Sequence, residues 1–377
     1  MNTFDVAIVG GGLIGAAAAL ELRARKLAVV LLDRQQPGRE ASWAAAGMLA
    51  PGPDDPRSIA LVPLAKKSLE LYPEFIAAVE RASGRSTGFM RQPTLQAFFG
   101  SSGKAERDEF VAGHERLGLS AEAISVPSAR ELESSLGPAI TAAARLPEEA
   151  TVDPRLLTDA TILAAAAQGV EIRANCRVTS LRREGGRCVG IVTEKGEIAA
   201  GHVLVAAGCF SSVALPEIAC YAPTRPVRGQ MLALRHPRVK LGRVLRSANG
   251  YLVPRLDGRI LAGSTLEDAG FEKVVTQEGV RKIMAAALDL LPALADAEVV
   301  EMWAGLRPGS PDDLPILGPT DIDGLLVATG HYRNGILLAP VTAKLVAAWI
   351  SGESSVVAAT MFSPLRFGRR VASTPAD

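Results

Sequence analysis

A strand, a glycine turn and a helix follow one another at the start of this chain, and few folds accommodate that order. Val6-Ala7-Ile8-Val9 is a short apolar run of the kind a strand buried on both faces requires. It feeds directly into Gly10-Gly11-Gly12-Leu13-Ile14-Gly15, a G-x-G-x-x-G pattern. Gly10 permits the tight turn, Gly12 removes the side chain that would block a pyrophosphate, and Gly15 lets the next helix approach the strand. That helix is expected over Ala16 to Arg25, and its N-terminal N–H groups and partial positive charge suit phosphate oxygens. Ala28 to Leu32 reads as a second strand ending at Asp33, about twenty residues after the glycines, where a carboxylate accepts ribose hydroxyls. An acid there disfavours a 2'-phosphate and so argues against NADP. Glycine-rich turns also occur for packing alone. The full order of strand, glycines, helix, strand and acid points instead to a dinucleotide, without separating FAD from NAD. Arg34 either covers an adenine ring or is simply solvated.

At 377 residues the chain exceeds one ordinary core, which implies two domains or a discontinuous large domain carrying a smaller one. A hydrophobic share of 48% against 21% charged excludes disorder. Lys and Arg number 41 and Asp and Glu 40, so the net charge of +1 gives no electrostatic reason to expect nucleic acid or an anionic membrane. A small molecule is the partner this balance leaves. Cys176, Cys188, Cys209 and Cys220 form no C-x-x-C pair, and the expected compartment is reducing. His114, His202, His236 and His331 lie too far apart in sequence to suggest a metal site. The Val6 to Leu20 stretch is interrupted by glycines and shorter than the ~20 residues of a membrane span. No basic segment precedes it, so it does not read as a signal peptide, and a cytoplasmic location is expected.

Further along, Gly38 to Pro51 is a run of small residues with one hydroxyl, Ser42, unusual for a connecting loop. Ser42 could cap a helix N-terminus there. Three apolar runs between Val170 and Gly208, parted by turns at Arg183 to Gly186 and Glu194 to Glu197, predict a β-meander closing on a buried strand. Segments Pro226 to Gln230, Tyr251 to Arg255 and Gly263 to Thr265, with a tight turn at Asp257-Gly258, predict a separate antiparallel sheet. Thr276 to Leu291 has Val280, Ile283, Ala287 and Leu290 at helical spacing. Near the end stand Gly305-Leu306-Arg307-Pro308-Gly309 and His331-Tyr332-Arg333-Asn334-Gly335-Ile336. Arg307 and Arg333 sit in Gly- and Pro-rich backbone, where a fixed guanidinium can meet a carboxylate through two parallel hydrogen bonds. A helix follows through Leu337, Leu338, Val341, Leu345 and Trp349, with Gly352 as its stop. Pro340, tolerable only near a first turn, puts its start close to Gly335.

From Phe4 to about Phe367 the chain resembles the FAD-dependent glycine oxidases of thiamine biosynthesis, within the D-amino-acid oxidase superfamily. The resemblance is carried by Ala46-Gly47-Met48, Gly305 to Gly309 and His331 to Leu338. It implies an α/β fold: a discontinuous Rossmann-like FAD-binding domain, with a second α+β substrate domain built on an antiparallel sheet. The borders so implied are 1–86, 150–222 and 307–365 for the first domain, 87–149 and 223–306 for the second, and 366–377 for a flexible tail. FAD would lie along Gly10, Gly12, Leu13, Ile14, Gly15, Asp33 and Arg34, beside Ala41, Ser42, Ala46, Gly47 and Met48. Val178 and Gly208 would approach it from the meander, and Tyr332, Arg333, Asn334, Gly335, Ile336 and Leu337 from the last helix. His331 lines the site or is a satisfied core histidine. The helix N-terminus would favour negative charge on the reduced flavin.

Arg307 would pair with the substrate carboxylate, Tyr251 would hydrogen-bond it, and Arg333 would line the site. The implied reaction is oxidative deamination of glycine, sarcosine and small D-amino acids by hydride transfer to flavin N5. Oxygen would then form H2O2, and the imine would pass to thiazole synthesis. No protein base is required, and positioning and electrostatics would carry catalysis. Asn249 and Leu266 depart from the family pattern and leave the substrate range open. Also open are a D-amino-acid or sarcosine dehydrogenase passing electrons to a quinone or carrier, and a flavin subunit of a hetero-complex. Homotetramers are common in the family, so a homo-oligomer is expected.

Overall fold

A computed structural model describes residues 3–53 and 55–368. The expected tail beyond Arg369 lies outside the described residues. Among them, two sheets of eight strands each hold the architecture together.

The first sheet places Thr3–Val9 between Val29–Leu32 and Gly196–Val205, all parallel. Leu325–Thr329 continues it beyond Gly196–Val205, and Glu171–Arg173 beyond Val29–Leu32. Side-chain alternation explains why the first run is uninterruptedly apolar. Val6 and Ile8 enter a core shared with the helices, while Ala7 and Val9 enter a second core beneath the meander. The helix expected from Ala16 begins at Leu13 and runs to Ala24. Its Ala16 to Ala19 are at most 1% exposed, because alanines let it pack closely against the sheet and the Gly335–Ser351 helix.

The meander is formed by Val178–Glu184, Arg187–Thr193 and Gly196–Val205. One correction concerns its first run. Glu171–Arg173 leaves the meander and pairs in parallel with Val29–Leu32, so that apolar run splits between two roles.

The second sheet is antiparallel through Glu298–Gly309, Arg225–Arg235, Ile260–Gly263, Tyr251–Pro254 and Leu245–Arg246. It continues through one parallel pairing to Thr94–Phe99 and then antiparallel to Ile140–Leu146. The Gln277–Leu290 helix covers one face with Ile283, Ala287 and Leu290 buried, and Thr276 caps it by accepting from Gly279 N. Because Glu298–Gly309 runs unbroken to Gly309, a border before Arg307 would cut a strand. The division we propose therefore has that border after Gly309. Arg366 also does not behave as part of a loose tail, since it donates two bonds to Asp312, at 2.8 and 3.0 Å.

Pro340 is the sixth residue of the Gly335–Ser351 helix, one turn later than the sequence suggests. Its missing N–H frees the carbonyl of Ile336, which accepts the Tyr72 hydroxyl at 2.5 Å. Ser68, one turn earlier on the Val62–Ser83 helix, donates to Leu337 O at 2.6 Å and accepts from Val341 N at 3.3 Å. The proline is tolerated because a neighbouring helix supplies the bonds it forfeits. No helix among the described residues is long and apolar enough to cross a membrane.

Candidate active site

A cavity of about 720 Å3 opens between the two sheets. At one end it meets the glycine turn. Gly10, Gly12, Leu13 and Ile14 line it, while Gly15 lies beneath, packed so closely that a Cβ there would stand 2.0 Å from Gly10 O. At Gly12 a Cβ would meet nothing nearer than Ser42 Oγ at 3.4 Å, so the turn has open space before the helix N-terminus. That is the cradle a pyrophosphate needs.

Asp33 lines the same end and accepts from Gly11 N at 2.9 Å and Gln35 N at 3.0 Å. Burial raises its pKa, and the two backbone donors oppose that shift. Arg34 is half-exposed, its guanidinium carbon 3.7 Å from the Phe210 ring centroid and its Nη2 3.0 Å from Glu40. Ser42 does not cap its own helix. It lies inside the short Ala41–Ala44 helix and accepts from Leu13 N at 3.1 Å, so it serves the first helix instead.

Ala41, Ala46, Gly47 and Met48 line the middle of the cavity, with Val178 and Gly208 opposite. Two arginines that sequence reasoning missed hold this loop. Arg255, 8% exposed, donates to Ala46 O at 2.6 Å and lies 3.4 Å from Asp153. Burial pulls its pKa down to about 10. Arg155 lies 3.6 Å over the Trp43 ring and makes two bonds of 2.9 Å to Glu301. Neither has a local motif, since each acts on a segment far away in sequence.

At the other end the segment after Leu325–Thr329 meets the second sheet, where Tyr332 N donates to Pro308 O at 2.9 Å. Tyr332, Arg333, Asn334, Gly335 and Ile336 line the cavity, whereas Leu337 is buried in the helical core. The N–H groups of Gly335 and Ile336 precede the first intrahelical bond, Leu338 N to Asn334 O at 2.8 Å, and are available to an acceptor.

His331 fits both readings. It lines the cavity and is 2% exposed, with Nε2 3.1 Å from Thr342 Oγ1. Burial drives its pKa down to about 3. A histidine neutral when folded but free to protonate when unfolded binds fewer protons in the native state. Its contribution is therefore complete above about pH 6.5 and is lost as pH falls toward 3, at roughly 1.4 kcal/mol per unit. Urea unfolding at pH 7.5 and 5.5 should show this residue costing about 1.4 kcal/mol. That cost should vanish in His331→Gln, and an equal pH dependence in both proteins would refute it.

The remaining wall of the cavity is a face of the second sheet. Arg307 extends over Gly229, where a Cβ would lie 2.1 Å from Nη1, and Gly305 makes similar room for Ala44. Its guanidinium donates to Ser264 Oγ at 2.8 Å and Thr265 O at 3.2 Å, both neutral oxygens. Desolvation lowers its pKa from the ordinary value. Among the described residues no carboxylate pairs with this guanidinium, which lines the cavity. Tyr251 donates to Met231 Sδ at 3.3 Å and also lines the cavity. Gly229, Met231 and Arg246 join this face through strand register, and Ser264 directly after the Ile260–Gly263 strand, a signal that single motifs do not carry.

The family model described as FAD dependent oxidoreductase matches residues 5–349. Glycine oxidase of Pseudomonas putida is 34% identical, over 96% of this chain and 98% of that protein. Bifunctional protein ThiO/ThiG of Trichormus variabilis is 36% identical over 99% of this chain, which spans 56% of its length. The crystal structure of glycine oxidase from Geobacillus kaustophilus superposes with a TM-score of 0.91 at 31% identity, covering 97% of this chain and 99% of that one.

Proposed function

The chain belongs to the FAD dependent oxidoreductase family, and from that premise we propose that it is an FAD-dependent amino-acid oxidase that deaminates glycine and other small amines, including sarcosine and small D-amino acids. The observation that carries this reading is Arg307, a partly buried cation on neutral oxygens beside Tyr251 at the cavity wall. Such a group discriminates for a small carboxylate, which supplies the missing charge. The similarity to glycine oxidases of near-equal length supports the same choice.

In this reading the Gly10 to Ile14 turn and the first helix hold the cofactor pyrophosphate, and Asp33 holds its ribose. Ala46, Gly47 and Met48 press against the ring system, and the N–H groups of Gly335 and Ile336 face its developing negative charge. Bound FAD would supply a two-electron acceptor for the substrate Cα hydride at N5, with oxygen as the final acceptor yielding H2O2. Arg307 and Tyr251 fix the carboxylate, and so the direction of the Cα–H bond. Arg333 lines the wall beside them. The amine loses its proton before the reaction, so positioning carries the rate and no side-chain base is needed. The imine would feed thiazole assembly for thiamine.

The test is anaerobic mixing of the FAD-loaded protein with glycine. Bleaching of the flavin absorbance, and peroxide formation when air is admitted, is the expected result. Persistent colour with glycine, sarcosine and D-alanine alike would defeat the proposal.

A further inference from the structure

The cavity has a second cationic corner that binding of a single carboxylate leaves unused. Arg246 faces Tyr251 directly across the antiparallel pair Leu245–Arg246 and Tyr251–Pro254. Opposite residues project to the same face with Cβ atoms about 5 Å apart, and both line the cavity. Arg307 reaches the same region from the other side by way of Ser264. Tyr251 is thus flanked by two guanidinium groups.

The two are not equivalent. Arg307 rests on neutral oxygens, so its charge is not compensated. Arg246 is held by Gln96 Oε1, 2.8 Å from Nε, and by Glu149 Oε1, 3.2 Å from Nη2. The Glu149 side chain is 5% exposed and that of Arg246 is 16% exposed. Among the described residues Nη1 of Arg246 has no acceptor, although the residue lines the cavity. A fixed donor pair with one unfilled side, kept rigid by a buried glutamate and a buried glutamine, has the form of a binding arm. The uncompensated charge on Arg307 captures the first carboxylate. Half-neutralised Arg246 cannot compete for it, and gains only from a ligand long enough to reach both.

We propose that Arg246 is a specificity-determining residue that admits amines carrying a second carboxylate, with iminodiacetate as the matched probe. This rests on the amine-oxidase reading given above, and the chemistry at the reacting carbon is the same. A methylene C–H gives up hydride to bound FAD, the nitrogen lone pair forms the C=N bond, and water hydrolyses the product to glyoxylate and glycine. Arg246 touches only the remote carboxylate.

Sarcosine and iminodiacetate share the N-substituted glycine skeleton and differ by that carboxylate, so their ratio isolates the arm. Steady-state kcat/KM for both is measured on FAD-loaded wild type and on Arg246→Met. The loss of a charged hydrogen bond should lower the iminodiacetate value about 10- to 100-fold relative to sarcosine, chiefly through KM, with Arg246→Lys intermediate. Because Arg246→Met strands a buried carboxylate, Arg246→Met with Glu149→Gln removes both partners and serves if the single variant unfolds. Equal losses for the two substrates would overturn the proposal, as would wild type that oxidises sarcosine but not iminodiacetate. Wild type inert toward glycine and sarcosine as well would instead overturn the underlying amine-oxidase reading.

Discussion

Replacing Arg307 with alanine is expected to reduce kcat/KM for glycine by roughly 100- to 1,000-fold, the usual effect of truncating one side of a buried charge pair. The reasoning starts from its surroundings. Its two nitrogens already donate to Ser264 Oγ and Thr265 O, so the side chain is oriented before any ligand arrives. Those acceptors are neutral, and the carboxylate of the substrate is the counter-charge the site lacks. Alanine removes the charge and empties the space over Gly229 that the guanidinium fills. Both binding and alignment should suffer, with KM rising and kcat falling. Lysine restores a point charge but cannot reproduce the forked geometry, so Arg307→Lys should recover only part of the activity. The flavin absorbance should survive in both variants. Glycine kinetics unaltered by the alanine substitution would show that the carboxylate is bound elsewhere.

What could be read from sequence followed the range over which each interaction acts. The nucleotide turn was legible because strand, glycines, helix and Asp33 are consecutive, and local geometry fixes their relation. Arg307 stood out by its Gly- and Pro-rich backbone, but Tyr251 and its pairing with Arg307 were legible only through the resemblance, since no spacing connects a residue on one strand with a residue on another. Arg246 was missed for a related reason. Its cavity position depends on the register of Leu245 against Leu252, which a two-residue strand does not advertise. The same holds for Arg255, whose partner Ala46 is 209 residues away. It also holds for two other long-range contacts: Lys273 pairs with Glu40 at 2.5 Å, and Phe271 stacks on Phe210 with centroids 5.0 Å apart. Pro340 shows the limit from the other direction. Local rules required it near the helix start, and Tyr72 and Ser68 relaxed that rule from a different helix.

Gly15→Ala is expected to abolish FAD retention and destabilise the fold by about 1–3 kcal/mol or more, the cost of forcing extra volume into packed structure. The added Cβ would lie 2.0 Å from Gly10 O, 3.2 Å from Gly10 C and 3.3 Å from Ile8 Cγ2. The first two obstacles are backbone, which cannot swing aside as a side-chain tip can. Relief requires the first helix to move away from the glycine turn. That movement would pull apart the bond from Leu13 N to Ser42 and shift the N–H groups that face the cavity. Stability and cofactor binding should therefore fail together, although Gly15 itself does not line the cavity. Gly113 provides the control. It lies within the Gly103–Arg116 helix, where a Cβ would meet nothing nearer than an Arg116 nitrogen at 3.7 Å. Gly113→Ala should raise stability by about 0.5–1 kcal/mol through helix propensity. Thermal unfolding with and without added FAD, alongside flavin absorbance after desalting, measures both effects. If Gly15→Ala kept its cofactor and its melting temperature, the turn would have to yield by more than its packed backbone permits, and the account of why this position is glycine would fail.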